Sequence, residues 1–163
     1  MTELEFLALI ESHRRTFFRL CRLYRDNDED RKDLYQDIVY ELWRCRDTVK
    51  DQSNINTWLY SVAFHVATAI YHSKKPRMVP LSFVQEDPEM DGQLGDNRDR
   101  LFQAMKRLDE EEKSLLTLYM EQLSYEEIAA ILKITVSHVG VKLHRVKIRI
   151  RKFLNREECR TMI

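Results

Sequence analysis

From Thr135 to Arg145 the chain reads TVSHVGVKLHR, and Thr135, Ser137, His138, Val141, Lys142 and Arg145 carry hydroxyl, imidazole, methyl, ammonium and guanidinium groups. These are the groups that read duplex DNA: guanidinium and ammonium donate to guanine, hydroxyls serve either base, and a methyl packs on thymine. From Lys133 onward nine Lys/Arg stand against two Asp/Glu, a net of +7 that would draw phosphates. A solvated basic helix in an all-α protein is the plainer reading of the same residues. No Ser/His/Asp set, glycine-rich phosphate loop or converging carboxylate pair occurs in the chain. Enzymatic chemistry therefore has no evident residues to run on, and no cofactor is implied.

The elements that must position those groups are legible around them. Ser124 followed by Glu127 predicts a capping box and a helix start. Ile128, Ala129, Ile131 and Leu132 give this helix one apolar face. Under three turns long, it needs a partner. Lys133-Ile134-Thr135 offers a turn with Thr135 as the next N-cap. Beyond it Val139, Leu143, Val146, Ile150 and Phe153 recur at spacings of three and four, while Lys142, Arg145, Arg149 and Lys152 fall on other faces. A short helix, a tight turn and a longer basic helix predict a helix-turn-helix.

The 163-residue chain is 44% hydrophobic with only three Gly and three Pro, which predicts an all-α fold: two small helical domains on a flexible linker. The net charge is zero, an odd value for a protein that coats nucleic acid unaided. Its distribution is uneven. Residues 1–80 carry 13 basic and 12 acidic groups, residues 81–132 carry 5 and 13 (net −8), and the remainder is the basic end. Cys21, Cys45 and Cys159 are odd in number and lack CxxC or Cys/His spacing, which supports neither a disulfide framework nor a metal site. With no basic leader and no apolar run of spanning length, membrane insertion is not expected and a cytoplasmic protein is.

In chain order, Phe6, Ile10, Phe17, Cys21 and Tyr24 predict an amphipathic helix from Leu4 to Tyr24. The run from Asp26 to Asp30 ends it and supplies caps for a second helix, Arg31 to Arg46. There Leu34, Ile38, Leu42 and Cys45 share one face, with Asp33, Gln36, Asp37, Tyr40, Glu41 and Trp43 off it. That polar face would suit a basic helical partner; a solvated face with Trp43 tucked against the core edge competes with this.

After a polar loop whose asparagines can cap a third helix, Trp58, Leu59, Val62, Ala63, Val66, Ala67 and Ile70 predict a buried stripe. Tyr60, Ser61, Phe64, His65, Thr68 and His72 would face outward, followed by Lys74, Lys75 and Arg77. Aromatics beside cations suit unpaired bases, with packing of Tyr60 and Phe64 on the first helix as the alternative. Residues 74–98 lose periodicity and read as a linker. Asp87, Glu89, Asp91 and Gly92 in it imitate a calcium loop, but Arg98 stands where the closing glutamate belongs. Past the linker, Leu101, Phe102, Met105 and Leu108, then Leu115, Leu116, Leu118 and Tyr119 with Asp109 as a cap, predict helices that brace the helix-turn-helix.

Three stretches, in order, resemble the extracytoplasmic-function (ECF) group of RNA polymerase sigma factors: DLYQDIVYELW (Asp33 to Trp43), TWLYSVAFHVA (Thr57 to Ala67), and the helix-turn-helix from Ser124 to Leu154. The sequence departs from that pattern at Lys133, in place of the turn glycine, at Gly140 inside the recognition helix, at His65 and Ala69, commonly Asn and Asp, and at Asp109, often proline. The resemblance implies a domain over 1–75 that docks on polymerase and reads the downstream promoter element, a linker over 76–99, and a domain over 100–163 that reads the upstream element. It further implies that Asp33, Gln36, Asp37, Tyr40 and Trp43 hold the polymerase β′ coiled coil, and that Trp58, Tyr60, Ser61, Phe64, His65, Lys74 and Lys75 meet the melted strand. Thr135, Ser137, His138, Val141, Lys142 and Arg145 would then read the upstream duplex. Core RNA polymerase, through its β′ coiled coil and β flap, and promoter DNA are the implied partners, and the family admits an anti-sigma factor. Two rivals make different expectations. A free-standing helix-turn-helix regulator would bind an operator without polymerase; a helical adaptor would show no salt-sensitive DNA affinity.

Overall fold

The computed structural model describes residues 1–69 and 96–161, with backbone alone for 96–98 and 157–161. Among them every regular element is helical, and they separate into two compact units.

The first unit holds α1 (Glu3–Tyr24), α2 (Asp28–Arg44) and α3 (Ile55–Thr68). Helix α1 begins with a capping box unread in the sequence: the Glu5 amide donates to Thr2 Oγ1 at 3.2 Å and the Thr2 amide to Glu5 Oε2 at 2.7 Å. Hydrogen bonding from the Thr2 amide, and next from the Thr2 side chain, holds the Glu5 carboxyl below the usual carboxylate range. Asn27, from the expected polar run, caps α2 by accepting from the Asp30 amide at 2.8 Å. Phe6, Phe17, Leu20, Leu34, Ile38, Leu42 and Leu59 are fully buried at the centre. At the α1–α2 seam the Phe18 and Tyr35 rings stack with centroids 4.5 Å apart and planes 3° from parallel.

Between α2 and α3 lie two single-turn 3₁₀ segments, Arg46–Thr48 and Gln52–Asn54. Asp51 caps the second by accepting from the Ser53 amide at 3.0 Å, and the Ser53 hydroxyl, with that amide, holds its carboxyl below the usual carboxylate range. Asn54 occupies the N-cap position of α3 without a side-chain capping bond, so the asparagine cap expected there is absent.

The second unit holds α4 (Asp96–Lys106), α5 (Glu110–Met120), α6 (Tyr125–Leu132) and α7 (Val136–Thr161). Asp109 caps α5, accepting from the Glu112 amide at 2.8 Å. Ser124 caps α6, accepting from the Glu127 amide at 3.1 Å. Glu127 returns to the serine hydroxyl at 3.1 Å, where a full capping box would use the serine amide. Lys133 closes α6 in the left-handed region, φ 57° and ψ 44°, and its amide and that of Ile134 both turn back to Ala129 O. Thr135 then caps α7, accepting from the His138 amide at 3.2 Å.

Leu115, Leu118, Ile128, Val139, Leu143 and Val146 fill this second core, with Ile150 at its end. Tyr119, expected inside, is 37% exposed and carries the Lys147 ammonium 4.1 Å above its ring. The linker and its calcium-like acidic run fall almost wholly outside the described residues.

Candidate nucleic-acid interface

Helix α7 buries Val139, Leu143, Val146 and Ile150, and that stripe dictates what its other faces present. Ser137, His138, Val141 and Arg145 are exposed, and Val141, at half of its possible area, is a large apolar group left in water. Thr135 is exposed too, but its oxygen serves the cap. Lys142 differs from the rest. It is half-buried, and its ammonium lies 2.5 Å from Glu111 Oε1 on α5. About two turns further on, Arg149 Nη1 donates to both carboxylate oxygens of Glu112, at 2.6 and 2.7 Å. A positive, hydrogen-bonding surface begins at the capped end of α7, with α5 carboxylates on its flank. Such a surface can meet phosphates and base edges.

Helix α2 gathers the expected partner face. Asp33 and Gln36 are exposed, and Asp37, Tyr40 and Trp43 are half-buried, opposite the core residues Leu34, Tyr35, Ile38, Val39 and Leu42. Arg46 holds Trp43 from above, its guanidinium carbon 3.9 Å from the ring centroid and its Nη1 donating to the Trp43 carbonyl at 2.8 Å. Arg44 binds Glu41, an ion pair that takes one carboxylate of this helix out of play for a partner. Burial, with Glu41 adding to it, pushes the Cys45 thiol up and away from reactivity.

Helix α3 requires a correction. Tyr60 and Phe64, assigned outward, are 5% and 4% exposed and belong to the core. Tyr60 meets the His13 ring edge-on at 6.0 Å, and Phe64 meets Tyr24 at 6.5 Å. The buried stripe is Leu59, Tyr60, Ala63, Phe64 and Ala67, roughly one residue position around the helix from the expected one. Large rings bury more area than valines do, so α3 turns its aromatics onto α1 and leaves Val62 and Val66 half-exposed. Trp58 is half-buried, its indole N–H donating to Thr48 Oγ1 at 3.1 Å. Of the set expected to contact the melted strand, Trp58 and Ser61 are thus partly accessible and His65 exposed. Lys74 and Lys75, like His72 and Arg77, lie outside the described residues.

Two side chains that bear on these surfaces were not read from the sequence. Arg46 is signalled only by a cation three residues after an aromatic, and Glu111 only by an acidic first turn. Neither pattern names its partner. Among the described residues no group of three or more His, Cys, Asp and Glu could hold a metal, and no helix is long and apolar enough to cross a membrane.

Residues 9–75 match the sigma-70 region 2 family and residues 98–150 the sigma-70 region 4 family. The RNA polymerase sigma factor YlaC of Bacillus subtilis is 30% identical over 145 residues, covering 81% of this chain and 83% of the relative. The RNA polymerase sigma-E factor of Streptomyces coelicolor is 28% identical over 154 residues, covering 93% and 86%. Among solved structures, CnrH in complex with the cytosolic domain of CnrY shares the fold, with a TM-score of 0.68 at 17% identity over 94% of this chain and 90% of that one. The sigma factor RpoE of Bartonella quintana, in complex with the anti-sigma factor NepR, has a TM-score of 0.61 at 16% identity, covering 91% and 97%.

Proposed function

Because the chain belongs to the sigma-70 family of RNA polymerase sigma factors, within the ECF group, we propose that its two units divide the work of promoter recognition. Residues 1–75 dock on core polymerase and meet the downstream element, residues 100–163 read the upstream element, and residues 76–99 join them. Asp33, Gln36, Asp37, Tyr40 and Trp43 form the docking face toward the β′ coiled coil. Trp58, Ser61 and His65, together with Lys74 and Lys75, meet the melted strand. Stacking or hydrogen bonding of about 1–3 kcal/mol per base would offset part of the cost of opening a pair. Ser137, His138, Val141 and Arg145 read the duplex. The protein acts in the cytoplasm beside polymerase, without catalysis or a cofactor of its own, and an anti-sigma factor is the kind of partner that would sequester it.

The observation that carries this reading is the exposed, capped start of α7, where His138, Val141 and Arg145 stand clear of the buried stripe. Zero net charge makes strong unaided DNA binding improbable. Core polymerase supplies the missing affinity by making the second contact intramolecular, at an effective concentration of about millimolar. A transcription assay with purified core polymerase on a promoter library tests this. Selected initiation that depends on the protein is expected, with promoter affinity at least about tenfold tighter in the holoenzyme than for the isolated chain. Tight binding of the isolated chain to a palindromic operator would instead make it a free-standing regulator.

A further inference from the structure

The first turn of α5 carries Glu110, Glu111 and Glu112 behind the Asp109 cap, an arrangement that the helix dipole favours. Two of these carboxylates reach α7, Glu111 to Lys142 and Glu112 to Arg149. Their cations are seven residues apart, so α5 flanks α7 over about 10 Å of its length. The Lys142 side chain is 25% exposed and Glu111 48%. Arg145, less than one turn along, is exposed and makes no ion pair among the described residues. Two cations that look equivalent in the sequence therefore differ in the fold.

Salt dependence distinguishes the two states of a lysine. A free ammonium that settles on a phosphate releases condensed counterions, whereas one already neutralised by a carboxylate adds little to that release. We propose that Glu111 is a positioning residue for upstream-element recognition: it holds the Lys142 ammonium on α5 and withholds it from DNA, leaving His138, Val141 and Arg145 to read. The inference rests on α7 being the DNA-reading helix.

Promoter affinity of the holoenzyme, measured between about 50 and 200 mM salt for the native protein, E111Q, K142A, the double variant and R145A, tests it. Glu111→Gln should steepen the log–log salt slope by about 0.9, roughly a three- to fourfold larger loss of affinity across that range. Lys142→Ala should move the slope far more in the E111Q background than in the native one. Glu126→Gln, which removes an exposed carboxylate from the first turn of α6, controls for charge alone. The inference is overturned if Lys142→Ala flattens the native slope by about 0.9 while Glu111→Gln changes nothing, since Lys142 would then already lie on DNA. It is equally overturned if the E111Q effect survives in the double variant or is matched by E126Q. Unchanged affinity in R145A would sink the reading of α7 itself, whatever Glu111 does.

Discussion

The indole of Trp43 stands edge-on to the Phe6 ring, centroids 5.1 Å apart and planes at 69°, so a residue of the proposed docking face is anchored by the start of α1. Truncating Trp43 would remove this contact, worth about 0.5–1.5 kcal/mol, along with any partner contact. Asp33→Lys is the cleaner probe, because Asp33 is exposed. It should greatly reduce co-purification with core polymerase and leave the thermal midpoint within a degree or two of native, surface changes being worth about 0.5 kcal/mol or less. Undiminished co-purification would move the docking face off α2.

Phe64 and His65 are neighbours with opposite expectations. Phe64→Ala should cost about 3–5 kcal/mol of stability in denaturant melts, since a buried ring leaves a cavity. His65→Ala should leave the melt unchanged and lower permanganate reactivity of unpaired thymines in the open promoter. If His65→Ala opens DNA normally, the exposed end of α3 is not a strand contact.

Two backbone positions in the helix-turn-helix are open to improvement. Gly140 lies inside α7, and a Cβ there would meet Tyr125 Cε2 at 3.7 Å, an ordinary contact; Gly140→Ala should therefore gain about 1 kcal/mol. Lys133→Gly should relieve the left-handed cost of a side chain, also about 1 kcal/mol. Equilibrium denaturation of the full chain would register both as higher midpoints at unchanged slope.

The Tyr35 hydroxyl is buried with no hydrogen-bond partner among the described residues, and burial pushes its phenol up to about 12 despite the opposing charge of Arg14. Below pH 10 the phenol is neutral in both folded and unfolded chains. As pH climbs from about 10 through about 12, the unfolded chain releases the proton and the folded one does not, so stability falls. Tyr35→Phe should remove that component of the alkaline loss and be neutral to about 1 kcal/mol stabilising near pH 7. Identical alkaline melts for the two proteins would refute it.

Helix existence was legible wherever a cap and a period coincided, as at Asp109, Ser124 and Thr135, each of which caps as its sequence position implies, whereas α2, expected from Arg31, starts three residues earlier behind Asn27. The rotational setting of α3 was not. Its apolar and aromatic residues extend so far around the helix that periodicity alone allows two neighbouring stripes, and only contact with α1 selects the one bearing Tyr60 and Phe64. The exposure of Ser137, His138, Val141 and Arg145 on α7 was legible because its buried stripe is narrow and regular. The pairing of Lys142 was hidden, since its partner lies 31 positions away and no local spacing encodes it.

Lys133 has a consequence for inherited variation. Its left-handed backbone is strained by one side chain, independently of the core, and lies outside the residues of α7 proposed to face bases. Proteins tolerate change in proportion to their margin above the folding threshold. A descendant carrying glycine at 133 would hold about 1 kcal/mol of extra margin, enough to absorb one mildly destabilising exchange at Ser137 or His138. On the proposed role of α7, drift at the turn would thus precede and permit divergence in the DNA sequences it reads.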